Sequence, residues 1–205
     1  MKQSTLAKPN FNLQNNTRDR LLSCATDLFY EQGFPNTSIR QIGKGIGITS
    51  SIIYHYFENK EEILFEILRS AIEKFYETLD EVVESESDPL NSFCHMIRVH
   101  IDLFTLIYKK EAKIWAFDYY YLDDNHRRQI RDLGRKLYGL YKTQILRLRE
   151  RGILNDVDPA MINFCVNGMM HWILQWMKLE GGRLSREEIA EQILKFVLNG
   201  VMKRS

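Results

Sequence analysis

The sequence predicts an all-α protein with two parts, a small N-terminal three-helix unit joined by a long helix to a larger C-terminal helical bundle. Apolar residues recur at helical spacing from residue 17 to residue 202, and Gly, Pro and capping residues divide this pattern into segments. No strand alternation, hairpin signal or solenoid-length repeat interrupts it. Residues 1–16 are polar and lack periodicity, so we expect a flexible arm there.

The composition excludes several classes of protein. Lys and Arg number 28 against 27 Asp and Glu, so the net charge of +1 gives no overall attraction to nucleic acid or to an anionic membrane. The three cysteines are widely spaced, which argues against a disulfide scaffold and favours a reducing compartment. The N-terminus has no apolar signal region, and no stretch approaches the ~18 apolar residues of a membrane span. We therefore expect a cytoplasmic protein.

Local signals divide the N-terminal unit into three helices. The first begins at Thr17 and ends at Gly33, a residue that readily adopts the left-handed conformation at a helix end. Ser38 caps a second helix of about two turns. Gly47 permits a sharp turn, and Thr49 caps a third short helix. The pattern is that of a helix-turn-helix.

A helix-turn-helix reads DNA through the exposed side chains of its second helix. Ile42 and Ile46 are spaced to pack under the unit, and Ile48 and Ile53 to anchor the second helix from below. The side chains expected to face outward are Ser50, Ser51, Tyr54 and His55. Residues 17–60 carry a local excess of only one positive charge, so we expect two such units to act together. The side chains predicted to meet base edges or phosphates are Arg40, Ser50, Ser51, Tyr54, His55 and Lys60.

Three runs within residues 17–65 resemble the N-terminal signature of tetracycline-repressor-type (TetR) regulators: Gly33-Phe34, Thr37 to Ile42, and Gly47 to Leu64. The resemblance implies that the aromatic residues ending the third helix fix it to the next helix. Ile52 departs from the family pattern, which often has a small or hydroxylated residue there. The resemblance also implies a DNA-facing surface formed by Ser38, Arg40, Ser50, Ser51, Tyr54, His55 and Lys60.

The long connecting helix is expected over 59–83, opened by Asn59 as a cap. Asp88 and Pro89 restart the helical pattern. Further helices are predicted over 88–107, 109–120, 124–151, 158–179 and 185–202. The predicted organisation is an arm over 1–16, a helix-turn-helix domain over 17–62 and a ligand-binding and dimerisation domain over 63–205.

The C-terminal half is rich in aromatic residues and methionine, which suits either a cavity wall that closes around a ligand or a plain core. Polar residues within this set would orient a ligand or serve as satisfied core residues. The candidate lining residues are Phe93, Met96, Ile97, His100, Phe104, Trp115, Tyr119, Tyr141, Asn167, Met170 and His171.

The segment over 158–179 is apolar around most of its circumference, which predicts burial against the bundle on one side and a second subunit on the other. The segment over 185–202 supplies a second apolar stripe. Together they predict a four-helix dimer interface. Its candidate residues are Trp172, Trp176, Ile189, Ile193, Phe196 and Val197.

The runs 168–176 and 181–190 are similar to the C-terminal pattern of family members that respond to fatty-acyl or steroid-derived coenzyme A thioesters. This resemblance implies an acyl chain among the aromatic residues and phosphates near basic side chains at the cavity mouth. Arg127 and Arg128 also fit a solvated helix face. The basic candidates are Arg98, Arg127, Arg128 and Arg135.

Two classes of function follow from these patterns. One is a dimeric repressor that binds palindromic operator DNA and is released by a small apolar effector such as a fatty acyl-CoA. The alternative is a DNA-binding organiser or an activator of the same fold without small-molecule control. Catalysis is disfavoured, because metal-ligand spacing and a Gly-rich phosphate loop are missing and Cys94 and His95 point to different helix faces. We therefore expect no cofactor, metal or membrane partner.

Overall fold

The computed structural model describes residues 17–176 and 183–202, including their side chains except those of 174–176. Within these ranges the regular structure is helical, apart from one antiparallel bridge between Leu154 and Met202, and the all-α prediction is confirmed. The predicted arm over 1–16 and residues 177–179 of the segment over 158–179 lie outside the described residues. No helix in the described ranges is long and apolar enough to cross a membrane.

The helices follow the predicted order, with two short turns of other helical types after α5 and α6. A π-helical turn covers Leu103–Ile107, and a 3-10 turn covers Tyr119–Tyr121. The α-helices are α1 (Thr17–Gln32), α2 (Ile39–Ile46), α3 (Ser50–Tyr56), α4 (Lys60–Ser85), α5 (Pro89–Asp102), α6 (Lys109–Asp118), α7 (Asp124–Glu150), α8 (Pro159–Trp176) and α9 (Arg186–Val201).

Local capping chemistry sets the ends of the first helices. Gly33 has φ +83° after α1, and Gly47 has φ +74° after α2, so both adopt the left-handed conformation that glycine tolerates. The Ser38 hydroxyl accepts a hydrogen bond from the backbone of Gln41, whose side chain accepts one from the Ser38 backbone. Thr49 precedes α3 without a side-chain cap bond.

Gly43 is required by close packing rather than by its backbone angles. A Cβ atom at this position would lie 2.7 Å from the carbonyl oxygen of Ile48, which is backbone and cannot swing aside. The glycine thus lets the turn before α3 approach α2 closely. We expect a larger side chain at residue 43 to push α3 away from α2.

Helix α4 connects two clusters of buried side chains. Its first half, including Ile63 and Leu64, packs with α1–α3, whereas its second half, including Phe75 and Leu79, packs with α5, α7 and the other C-terminal helices. The first cluster also contains Ile114, Leu122 and Ile130 from α6, the segment after it and α7. The core of the N-terminal unit is therefore completed by C-terminal residues.

The predicted continuous helix over 88–107 is divided in the structure. Asp88 and Pro89 start α5 as expected, and the Asp88 carboxylate accepts hydrogen bonds from the backbone of Leu90 and Asn91. The Thr105 hydroxyl donates to the Ile101 carbonyl oxygen at 2.6 Å, which perturbs the helical ladder from within. The chain then continues as the π turn Leu103–Ile107.

Candidate DNA-binding and ligand-binding sites

Helix α3 is anchored on one side and exposed on the other. Ile53 is fully buried in the N-terminal cluster. Ser51, Tyr54 and His55 are exposed, and their spacing of three and four residues places them on one face of the helix. Tyr54 keeps 55% of its surface exposed. These side chains are therefore available to a partner without any rearrangement of the core.

The remaining predicted DNA-facing residues lie at the edges of this unit. Ser38 and Arg40 are exposed at the start of α2, and Ser50 is half-buried at the start of α3. Of the aromatic residues that end α3, Phe57 is buried and Tyr56 is exposed, so Phe57 alone anchors α3 to the core there. Ile52, which departs from the family pattern, is also exposed.

Lys60 occupies a different position from the one predicted. Its ammonium group donates hydrogen bonds to the carbonyl oxygens of Phe34 and Thr37, each at 2.6 Å, and lies 4.1 Å above the Phe34 ring. Partial burial lowers the pKa of Lys60, opposed by the nearby carboxylate of Asp118. Lys60 thus holds the loop between α1 and α2, and we propose this role for it in place of a phosphate contact.

The same loop is held from the C-terminal side by Asp118, the last residue of α6. Asp118 is buried, and its Oδ2 atom accepts a hydrogen bond from the backbone N–H of Phe34 at 3.2 Å. Burial raises the pKa of Asp118, while this hydrogen bond and the ammonium group of Lys60 oppose the rise. The sequence contains no signal for this contact, because the two residues are 84 positions apart.

A second contact joins the start of α4 to the start of α7. Glu61 Oε1 accepts a hydrogen bond from the backbone of Asp123 at 3.1 Å and lies 2.8 Å from His126 Nδ1. The His126 ring stacks on Phe65 with ring centroids 4.0 Å apart. Potential metal-ligating atoms of Glu61, Asp123 and His126 lie within 4.8 Å of one another. The hydrogen bonds and the stacking already give this cluster a structural role between the two helices.

Most predicted ligand-binding residues form one contiguous aromatic and histidine cluster between α5, α7 and α8. His100 Nδ1 lies 3.0 Å from the Tyr141 hydroxyl, and the His100 ring is 6.4 Å from that of His171. The rings of Phe104 and Trp115 contact His171 at 5.1 and 5.3 Å. Phe93, Met96, Ile97 and Met170 are buried in the same core, and Asn167 accepts a hydrogen bond from His171 through its carbonyl oxygen.

Tyr119 does not join this cluster. Its side chain packs against the N-terminal cluster, and its hydroxyl donates to the carbonyl oxygen of Arg127 at 3.1 Å. Its predicted place in the ligand site is therefore corrected. The helical spacing that suggested it is interrupted by the 3-10 turn over Tyr119–Tyr121.

Burial keeps the titratable groups of the cluster uncharged. It lowers the pKa of His100 well below its usual value, with a smaller contribution from His171, and it also lowers the pKa of His171. It raises the pKa of Tyr141 well above its usual value. Both imidazoles are thus neutral, and they act as hydrogen-bonding groups rather than as charges.

An open apolar cleft is lined by Phe75, Phe104 and Trp115, and neither histidine is among its lining residues. Its cavity volume is small, about 40 Å³, and the surrounding space of about 470 Å³ includes open solvent. Only Phe104 and Trp115 of the predicted lining residues face it, because the others are packed against one another. Its lining residues are Leu68, Ala71, Ile72, Phe75, Phe104, Tyr108, Glu111, Ala112, Trp115, Gly134 and Leu137.

A larger charged cleft between α1, α4 and α6 adjoins the apolar cleft, and the two share Ala71, Tyr108 and Glu111. The predicted basic residues at a cavity mouth do not line either cleft. Arg98 pairs with Glu191, Arg127 with Asp124 and Arg135 with Asp132 on the protein surface. The charged cleft instead includes Arg18, Arg69, Lys74 and Lys110 alongside Asp19, Asp27, Glu66 and Glu111.

Helices α8 and α9 expose large apolar side chains. Trp172 and Phe196 are 60% and 73% exposed, in agreement with their predicted places on an outer face. Met161 and Phe164, which the prediction omitted, extend the exposed apolar face of α8. We call the residues Met161, Phe164, Trp172 and Phe196 the outer apolar face.

The other predicted interface residues differ. Ile189 and Val197 are buried in the C-terminal core, and Ile193 is half-buried against it. The assignment of Ile189 and Val197 to an interface is corrected, because α9 packs this side against α5 and the bundle interior, whereas the place of Ile193 stays a prediction. The side chain of Trp176 lies outside the described residues.

Comparison with known proteins identifies both halves of the chain. The family of bacterial regulatory proteins of the TetR type matches residues 21–67, and the tetracyclin repressor-like C-terminal domain matches residues 86–201. The HTH-type transcriptional repressor KstR2 of Mycobacterium tuberculosis is 27% identical over 198 residues, which cover 92% of this chain and 94% of KstR2.

Solved structures agree with this assignment. AibR, in complex with isovaleryl coenzyme A and operator DNA, is 27% identical with a TM-score of 0.80, covering 87% of this chain and 96% of AibR. Among sequence relatives, the fatty acid metabolism regulator protein of Bacillus subtilis is 25% identical over 84 residues, 41% of this chain and 43% of that protein. The helix-turn-helix geometry and the two matched domains together show that this chain belongs to the TetR family of transcriptional regulators.

Proposed function

We propose that this chain is a homodimeric repressor that binds a palindromic operator through α3 and releases it when a small apolar effector binds the C-terminal bundle. The observation that carries the proposal is the geometry of α3. Ile53 fixes this helix to the core, while Ser51, Tyr54 and His55 are exposed on one face. Such a rigid helix with exposed hydrogen-bonding side chains suits the major groove. KstR2 is named a transcriptional repressor, which supports repression rather than activation for this chain.

Dimerisation would supply the affinity that one unit lacks. The outer apolar face on α8 and α9 is the surface that we assign to the partner subunit. A two-fold axis there would present two copies of α3 to half-sites about 34 Å apart, one turn of B-DNA. Binding by two linked units multiplies their effective affinity, which compensates for the small local positive charge.

A fatty acyl-CoA is the effector class that we favour. The acyl group would enter the apolar cleft at Phe104 and Trp115, and the adjoining charged cleft would take the polar part of the molecule. The complex of AibR with isovaleryl coenzyme A supports this class, since AibR matches most of this chain. We further propose that the protein acts in the cytoplasm, as a regulator rather than an enzyme.

One observation favours the second candidate, a DNA-binding organiser or an activator without small-molecule control. Tyr141, Met96 and Phe93 fill the interior that the sequence suggested as a cavity. A chain that acts without an effector needs no cavity there. The open cleft beyond Phe104 and the unpartnered Nε2 atom of His100 are the features that favour the sensor over this alternative.

Mass spectrometry of small molecules released from the purified protein, followed by selection of operator sequences from random DNA with and without them, tests the proposal. We expect an acyl thioester among the released molecules and a palindrome among the selected sequences. Enrichment of DNA that is insensitive to every released molecule would favour the organiser. Failure to select any sequence would contradict the role assigned to α3.

A further inference from the structure

The Nε2 atom of His100 is a buried polar atom without a partner among the described residues. The side chain is completely buried, and its only hydrogen bond is formed by the opposite nitrogen, Nδ1, with the Tyr141 hydroxyl at 3.0 Å. Buried polar atoms in folded proteins are nearly always satisfied, and exceptions require an explanation. An unpartnered nitrogen next to an open apolar cleft indicates a missing hydrogen-bonding partner.

The hydrogen bonds around Tyr141 assign the proton on His100. The Tyr141 hydroxyl lies 3.3 Å from the carbonyl oxygen of Met96, to which it can only donate. If it does so, its oxygen accepts a hydrogen bond from Nδ1–H of His100, and both contacts are made. In the opposite arrangement the Tyr141 hydroxyl donates to Nδ1 of His100, and the hydrogen bond to the Met96 carbonyl oxygen is lost. His100 therefore carries its proton on Nδ1, and its Nε2 atom is a hydrogen-bond acceptor.

His171 has the same tautomer. Its Nδ1 atom lies 2.8 Å from the carbonyl oxygen of Asn167, which accepts only, so this nitrogen carries the proton. Because burial lowers the pKa of both histidines, both are neutral, and the Nε2 atom of each is an acceptor. The two histidine rings thus present hydrogen-bond acceptors. A carbonyl group of a ligand is also an acceptor, so it could not form a hydrogen bond with either Nε2 atom.

Aromatic rings that contact the histidines also line the apolar cleft. The His100 ring packs against Phe75 at 4.7 Å and Phe104 at 4.8 Å, and Phe104 stacks with Trp115 at 6.5 Å. Phe75, Phe104 and Trp115 also line the cleft. Phe104 lies in the π turn Leu103–Ile107, a helix type that is common at functional sites. Movement of this ring would connect the cleft to His100.

We propose that the effector carries a hydroxyl group that donates a hydrogen bond to His100 Nε2, behind the ring of Phe104. The inference rests on the proposed effector binding and specifies its chemistry. The apolar body of the effector lies in the cleft, and the hydroxyl reaches the acceptor. A ketone of the same shape is rejected, because its oxygen would face acceptor nitrogens and leave His100 unsatisfied.

The test uses ten-carbon linear alcohols with the hydroxyl at each of carbons 1–5, the matching aldehyde and ketones, and decane as probes. Dissociation constants are measured by thermal shift and tryptophan fluorescence. We expect at least one alcohol to bind about tenfold more tightly than its carbonyl counterpart, the effect of one buried hydrogen bond. His100→Phe, which keeps a ring of similar size, should abolish this preference while still binding decane. Phe29→Leu, at a position buried in the N-terminal cluster away from His100, should retain the preference.

Equal binding of alcohols and carbonyl compounds in the wild type would overturn the hydroxyl inference alone and would leave a buried water as the partner of His100. Absence of binding by every probe, decane included, together with absence of binding by decanoyl-CoA, would contradict the apolar effector itself. Nitrogen-15 chemical shifts of the histidine rings provide a test without any variant. We expect Nδ1 of His100 to be protonated, and a protonated Nε2 in the neutral ring would overturn the inference.

Discussion

Asp118 Oδ2 accepts a hydrogen bond from the backbone N–H of Phe34, over a distance of 3.2 Å. Asp118 ends α6, the helix whose Trp115 lines the apolar cleft, and Phe34 begins the loop between α1 and α2. Lys60 donates to the carbonyl oxygen of the same Phe34. A shift of α6 on effector binding would therefore act directly on the loop that positions α2 and α3, which makes this contact a candidate route for coupling.

We predict that Asp118→Ala weakens the coupling between effector and DNA. The change leaves the Phe34 N–H without its buried acceptor, at a cost of about 1–3 kcal/mol in the free energy of unfolding. Titration of operator DNA with and without a bound acyl-CoA measures the coupling as a ratio of affinities. The ratio should fall toward one in Asp118→Ala. In Asp118→Asn, which retains an oxygen acceptor, the ratio should fall less. Equal ratios in the wild type and both variants would refute this route.

The exposed face of α3 leads to a second prediction. Tyr54→Ala should weaken operator binding by about 1–3 kcal/mol, the usual contribution of a base contact. Stability should be nearly unchanged, because Tyr54 is 55% exposed. Fluorescence anisotropy with the selected operator measures the change. Tyr120→Ala is the matched control, because Tyr120 is 74% exposed in the turn after α6. The same operator affinity in wild type and Tyr54→Ala would show that Tyr54 does not contact the DNA.

Arg40 and Lys60 should respond differently to salt. Arg40 is exposed, and its replacement by alanine should reduce the slope of log affinity against log salt by about one for each bound subunit, as expected for one lost phosphate contact. Lys60→Ala should leave that slope unchanged. It should lower the free energy of unfolding, because the Lys60 ammonium group donates hydrogen bonds to the carbonyl oxygens of Phe34 and Thr37. A lower slope in Lys60→Ala would indicate that Lys60 contacts a DNA phosphate.

Local chemistry explains what the sequence could predict. The cap at Ser38 and the left-handed residue Gly33 depend only on neighbours along the chain, and both were found where expected. The hydrogen bonds of Lys60 could not be predicted, because its partners lie in a loop more than twenty positions earlier in the chain. The contact between Asp118 and Phe34 was missed for the same reason.

Helix orientation accounts for the errors at the outer apolar face. The apolar residues of α9 cover more than one side, and periodicity does not say which side meets the bundle. Packing against α5 selects Ile189 and Val197 for the interior and leaves Phe196 exposed. In the ligand site, residue type identified the cluster around His100, but only the packed structure shows that Phe104 and Trp115 face the open cleft.

This orientation predicts different outcomes for two neighbouring substitutions. Phe196→Glu should give folded monomers, because a charge on the outer apolar face would be buried and unpaired in the dimer. Val197→Glu should unfold the bundle instead, since Val197 is buried within one subunit. Sedimentation velocity and circular dichroism separate these outcomes, with Lys195→Glu on the exposed side of α9 as the control. A dimer of undiminished affinity in Phe196→Glu would move the interface elsewhere.

The last prediction concerns pH and the two histidines. Burial lowers the pKa of both His100 and His171 in the folded protein, so the unfolded chain binds more protons below its histidine pKa of about 6.5. The free energy of unfolding should therefore be independent of these groups above that pH. Below it, stability should fall by about 1.4 kcal/mol per pH unit for each histidine until the folded pKa is reached.

Urea denaturation between pH 7 and pH 5 measures the slope. His100→Phe removes one of the two protons and should reduce the slope accordingly, whatever its effect on stability at pH 7. Phe29→Leu is the control, because it changes a buried side chain of the N-terminal cluster without removing a titratable group. An unchanged slope in His100→Phe would mean that folding does not lower the pKa of His100, which would contradict a neutral, buried His100 below pH 6.5.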